Sequence, residues 1–197
     1  MTDARDGRTY KTVKIGEQTW MAENLNFEMA DSYCYSDSAS YCNKYGRLYT
    51  WAAVNSACPE GWHLPSETEW NALFRVVEKR TSISWALRSA SDWDRNKSVN
   101  PFGFSALPAG ERYINHFELR ERDGRRFIDD RPEYRAGGSG TRFWGSTEKR
   151  DPKDDQWYRV DLNEYKVSTG IGSDKYLACS LHYCSGNYAY SIRCLKD

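Results

Sequence analysis

The chain has 197 residues in which 28 Lys plus Arg balance 28 Asp plus Glu, so the formal net charge is zero and there is no basic field of the kind nucleic-acid binding needs. Hydrophobic residues make up 39% and mean hydropathy is −0.85, and no stretch of about 18 apolar residues exists to form a transmembrane helix. Eight Trp, fourteen Tyr and seven Phe still supply large buried areas per residue, and a single domain spanning 1–197 is expected.

In chain order, the polar opening Met1-Thr2-Asp3-Ala4-Arg5-Asp6 carries no signal-peptide pattern, and residues 1–8 read as a flexible or appended end. Residues 8–20 alternate polar and apolar around Tyr10, Val13 and Ile15 and turn at Gly16, which predicts a hairpin. Asp31–Cys42 is a loop rich in Ser, Tyr and Asp, where a disulfide would supply order that packing does not. Tyr49–Val54 predicts a first short helix, closed before Cys58-Pro59. At Ser66 a capping box begins: the serine oxygen can accept from the backbone near Glu69, and Glu69 can reach back to the serine N–H. The spacing of Trp70, Leu73, Phe74 and Val77 then predicts a second helix over Glu67–Lys79 with one aromatic and aliphatic face.

From Ser82 to Arg142 the sequence is irregular, a length of loop that is uncommon unless it is functional or compact in its own right. Within it, Glu111–Arg135 packs charges of both signs around Ile114, Phe117, Leu119, Phe127 and Ile128 and reads as a solvated insertion. Gly137-Gly138-Ser139-Gly140 lacks the strand-then-helix context of a phosphate-cradling loop and reads as a turn before a strand. Three closing strands are expected at Thr141–Ser146, Gln156–Leu162 and Tyr188–Leu195, with Trp157, Arg159 and Asp161 on one face of the middle one. The first hairpin and the last strand should meet in one sheet.

Several motifs in fixed order carry a family resemblance. They are the opening Thr12–Asn26, then Gly46-Arg47-Leu48-Tyr49-Thr50-Trp51-Ala52-Ala53, Cys58-Pro59-Glu60-Gly61-Trp62-His63-Leu64-Pro65-Ser66, Phe102–Gly110 and Ser191-Ile192-Arg193-Cys194-Leu195. Together they resemble the Fibrobacter succinogenes major paralogous domain from about residue 7 to 197. The resemblance implies an α+β fold similar to C-type lectins and formylglycine-generating enzymes: two helices, a twisted and mostly antiparallel sheet, long irregular loops and disulfide staples. It says little about activity, because a fold does not fix a function.

Six cysteines without a Cys-x-x-Cys pattern point to disulfides and an oxidising compartment, hence an extracellular or cell-surface address, and they allow 15 pairings. The pairs chosen are Cys34–Cys42 and Cys179–Cys184, which close short loops, and Cys58–Cys194, which by likeness to lectin domains would tie the main helix region to the last strand.

The chemistry is weighed on the same residues. Formylglycine-generating enzymes place two cysteines at the spacing of Cys179 and Cys184 near a C-terminal strand, where thiolates bind copper, so a copper-dependent relative is the alternative reading. No Gly-x-Ser-x-Gly elbow accompanies His63, His116 and His182, and His63, between Trp62 and Leu64, reads as a hydrogen-bonded structural residue. Glu111, Glu148, Asp154, Asp155 and Asp161 are abundant carboxylates, but abundance is not the geometry a glycosidase needs. The Glu-Pro-Asn and Trp-Asn-Asp motifs of calcium-dependent sugar binding are missing, so no cofactor is expected beyond the option of a structural calcium in the long loop.

Segment 176–190 mixes Tyr176, His182, Tyr183, Asn187, Tyr188 and Tyr190 with Ser and Gly, a paratope-like composition. The expected ligand face comprises Trp144, Trp157, Arg159, His182, Tyr183, Asn187 and Tyr188, brought together as the family resemblance implies. The reading is a monomeric, secreted or cell-surface, non-enzymatic binding module that recognises a glycan or a surface protein.

Overall fold

The computed structural model describes residues 1–93, 98–113, 119–122, 125–128, 132–138, 140–147, 163–168, 179–183 and 188–197. Strands β1 (Thr12–Ile15) and β2 (Gln18–Met21) form the expected hairpin, turning at Gly16 with φ 60°. Two-residue strands β5 (Trp62–His63) and β14 (Leu195–Lys196) complete a sheet ordered β1-β2-β14-β5, in which Leu195 pairs with both Trp20 and His63. The first hairpin and the end of the chain do meet in one sheet.

The larger sheet holds β3 (Ser32–Tyr33), β4 (Leu48–Thr50), β6 (Ala109–Tyr113), β10 (Gly140–Trp144), β11 (Asn163–Ser168), β12 (Cys179–Tyr183) and β13 (Tyr188–Tyr190). Its order is β12-β11-β10-β6-β13-β4-β3, and β9 (Glu133–Gly137) pairs additionally with β6. Every pairing is antiparallel except β6 with β10. A separate hairpin joins β7 (Leu119–Arg122) to β8 (Arg125–Ile128).

Four α-helices are present among the described residues: α1 (Ala39–Tyr45), α2 (Trp51–Ala57), α3 (Glu67–Glu78) and α4 (Ile83–Leu87). The capping box forms as read, Ser66 Oγ accepting from Glu69 N at 3.3 Å and Glu69 Oε2 accepting from Ser66 N at 2.7 Å. The buried face of α3 is Trp70, Leu73, Phe74 and Val77. The expected first helix starts later than read, because Tyr49 is a strand residue paired with Tyr190 and the helix begins at Trp51. Helices α1 and α4, of seven and five residues, were not expected; neither is long enough to display a 3.6-residue period. The architecture is α+β, with more helices than the two anticipated.

Two clusters form the core. One gathers Trp20, Trp70, Phe104 and Phe143 around α3, with Trp20 and Trp70 centroids 4.6 Å apart. The other packs Tyr10, Met21, Leu25, Tyr49, Val54, Trp144, Tyr190 and Ile192. Such rings bury far more area per residue than aliphatics, which is how a chain of low mean hydropathy sustains a dry interior.

Three expectations are corrected. Residues 1–8 are not a loose end: Asp3 is fully buried and held by two hydrogen bonds from the Arg5 guanidinium, at 2.9 and 2.7 Å, while Arg5 also donates to Ala57 O. The solvated insertion contains buried charge, since Glu111 and Arg112 on β6 are each 7% exposed. The strand Tyr188–Leu195 is two strands in two sheets, because the intervening Ser191–Cys194 crosses the core with Ser191, Ile192, Arg193 and Cys194 fully buried.

Disulfides join Cys34 to Cys42 and Cys58 to Cys194, as read. The second links the end of α2 to the residue before β14. Of the third pair, Cys184 lies outside the described residues, as do Ile114, Phe117 and the strand expected at Gln156–Leu162.

Candidate functional site

The register of β6 with β13 sets Tyr113 directly across from Tyr188. Residues two apart on a strand share a face, so Glu111 joins Tyr113 and Tyr190 joins Tyr188. The rings form a continuous row: Tyr113 to Tyr188 at 4.6 Å, Tyr188 to Tyr190 at 5.4 Å, Tyr190 to Trp144 at 4.4 Å and Trp144 to Trp51 at 5.8 Å. Its middle is closed to solvent, because Tyr190 and Trp144 are fully buried. Tyr113, Tyr188 and Trp51 are half-buried and present the ends of the row to the surface.

Charge around this row is arranged in pairs. Arg142 Nε lies 3.0 Å from Glu111 Oε2 and its Nη1 donates to the Tyr190 hydroxyl at 3.3 Å. Arg135 stands over the Tyr113 ring at 4.9 Å and is bonded to Glu133 through Nε at 3.1 Å. Burial, with Glu111 nearby, pushes the Tyr188 hydroxyl pKa up, so the phenol stays protonated and can donate. The face therefore offers aromatic surface, phenolic donors and two ion-paired arginines without net charge. It can hold a ligand by stacking and hydrogen bonding.

On the opposite side of the same strands sits the Cys34–Cys42 loop. Tyr35 lies flat where glycines leave room: a Cβ on Gly110 would come within 2.5 Å of its Cε2, and one on Gly137 within 2.6 Å of its Cζ. Tyr35 also meets Tyr41 and Tyr134 at 5.2 Å each. The Tyr134 hydroxyl donates to Asp37 at 2.6 Å and is held at a pKa of about 12 by burial first and that carboxylate second. Arg112 stacks on Tyr33 at 3.8 Å. This tyrosine packing was not read from the sequence. The available signals were Tyr33, Tyr35, Tyr41 and Tyr45 in one short segment, and Gly110 in a segment that otherwise reads as a strand.

Of the residues expected on the ligand face, Tyr188 lies half-buried on β13. Trp144 is corrected: its ring is fully buried and its indole N–H donates to Tyr49 O at 2.6 Å, so it is a core residue that backs the row and cannot meet a ligand. His182 and Tyr183 lie on β12, where His182 pairs with Glu164, itself across from Trp144, and Tyr183 pairs with Asn163 in the adjacent row. Trp157, Arg159 and Asn187 lie outside the described residues. So does Cys184, whose partner in the expected pair, Cys179, opens β12. Among the described residues no three His, Cys, Asp or Glu side chains are grouped to hold a metal, and no helix is long and apolar enough to cross a membrane.

These features define a disulfide-stapled α+β domain with a charge-balanced tyrosine surface. The chain matches the Fibrobacter succinogenes major domain over residues 13–196, and it belongs to that family. No curated protein and no solved structure matches it.

Proposed function

We propose that the chain is a monomeric, non-enzymatic binding module with a C-type-lectin-like fold, secreted or held at the bacterial cell surface, that recognises a glycan or a surface protein through the tyrosine face. The observation carrying this reading is the half-buried Tyr113–Tyr188 pair, 4.6 Å between centroids, flanked by Arg135 and by the Arg142–Glu111 pair. Rings anchored on strands lose little conformational freedom on binding, and their faces suit sugar rings or apolar side chains. Ion-paired arginines and carboxylates beside them supply fixed donors and acceptors for hydroxyl or amide groups. Trp157, Arg159, His182, Tyr183 and Asn187 are retained as proposed ligand contacts beside it. Two disulfides fit an oxidising compartment.

The test is a glycan array and a cell-surface pull-down with the full chain and with Tyr188→Ala and Tyr113→Ala. Anchor behaviour predicts a loss of about 2 kcal/mol, roughly thirtyfold in affinity, for each variant while the chain stays folded at the assay temperature. Binding that survives both substitutions would overturn the assignment of this face.

A further inference from the structure

A second grouping of polar side chains lies away from the tyrosine face, where β5, β14 and α3 converge. His63 on β5 stands between two carboxylates: its Nε2 is 2.9 Å from Glu69 Oε1 and its Nδ1 is 2.6 Å from Asp197 Oδ1. Glu69 is fixed independently, since its other oxygen accepts from Ser66 N and Ser66 Oγ, each at 2.7 Å. Asp197 has a looser hold, with its backbone N–H donating to Gly61 O at 3.2 Å and its side chain 59% exposed.

A carboxylate accepts hydrogen bonds and does not donate them. Neutral imidazole has one N–H and one lone pair, so it can serve one of these carboxylates and must turn a lone pair on the other. Imidazolium donates to both. We propose that His63 is a proton-operated clasp: when charged it fastens Asp197 to the first turn of α3, and when neutral it keeps Glu69 and releases Asp197.

Among the described residues, Glu69 and Asp197 are the charged groups that face the ring; on β14, Leu195 pairs with His63 and Lys196 with Trp62 one position along. Burial alone would push the imidazole pKa down, but the hydrogen bonds the ring donates to Asp197 and Glu69 outweigh it and raise the pKa above 6.5. For a group raised on folding, the stabilisation is complete below the unfolded value and is lost as pH rises through the folded one. The clasp therefore opens on the alkaline side of 6.5. Glu69 does not confound this, because its pKa is lowered and it is charged throughout that window.

The experiment is an NMR titration of the full chain between about pH 5 and pH 9, following the His63 ring and the exchange protection of the Asp197 amide, corrected for intrinsic exchange. The expected result is a ring midpoint above 6.5 and a loss of Asp197 protection with the same midpoint. Asp197→Asn should lower the ring midpoint, and His63→Gln should leave the amide weakly protected at every pH. A midpoint at or below 6.5 would overturn the proposal, as would protection that still changes with pH in His63→Gln.

Discussion

Arg193 Nε donates to Asn24 Oδ1 at 2.6 Å in a part of the core closed to solvent, with Arg193 fully buried. The rest of the guanidinium is spent on backbone oxygens: Met21 O at 3.1 Å, Phe104 O at 2.6 Å and Ser105 O at 2.9 Å. Phe104 lies beneath it at 4.9 Å. Burial pushes its pKa down to about 9, the expense of placing a cation where neutral acceptors replace water. One side chain thus pins β2, the 104–105 segment and the core crossing to one another.

Arg193→Met should cost at least about 3 kcal/mol, because it leaves several buried oxygens without a donor. Arg193→Lys should recover part of that loss, since an ammonium cannot reproduce the fork that reaches both Asn24 and Ser105. Urea denaturation midpoints for the three chains check the order; a Met variant as stable as the parent would contradict it.

The Cys58–Cys194 bond closes a loop with a sequence separation of 136 residues. In the chain-entropy account a closure of this size stabilises by about 4–5 kcal/mol. Replacing both cysteines with Ala should lower the melting temperature by more than about 10 °C, at roughly 2–4 °C per kcal/mol. Calorimetry decides the matter, and an unchanged transition would mean that the bond contributes nothing to stability.

Gly137 has Tyr35 as all three of its nearest neighbours, so its missing side chain makes room for one ring. Gly137→Ala should cost about 1–3 kcal/mol by overpacking. In a Tyr35→Ala background the same substitution should be nearly neutral, because the clashing ring has gone. A double-mutant cycle measures the difference, and equal costs in both backgrounds would show that Tyr35 is not the obstacle.

Features encoded within a few residues were legible in the sequence: the Ser66 and Glu69 cap, the turn at Gly16, the apolar face of α3 and the eight-residue spacing of Cys34 and Cys42. The Cys58–Cys194 pairing came instead through the family likeness. What escaped was set by tertiary partners. Trp144 reads as well on a surface strand as in a core, and only its place beneath Tyr190 and Trp51 decides. Glu69 was legible as a cap but not as a partner of His63, and 134 residues separate His63 from Asp197. Polar residues 1–8 gave no sign that Asp3 would be buried with Arg5 closing over it from the surface.

The ring closed by Cys58 and Cys194 also sets how the molecule answers tension. A pull on residues 1 and 197 can lengthen only the covalent path outside that ring, and the Cys34–Cys42 bond shortens this path again. At about 3.5 Å per extended residue the chain can pay out roughly 200 Å, against nearly 700 Å without the bonds. The core aromatics Trp70 and Phe143 and the Tyr113–Tyr188 pair lie inside the closed ring. Even when the hairpin β1–β2 is stripped from β14, the tether stays short and the tyrosine face remains on a segment that carries no load.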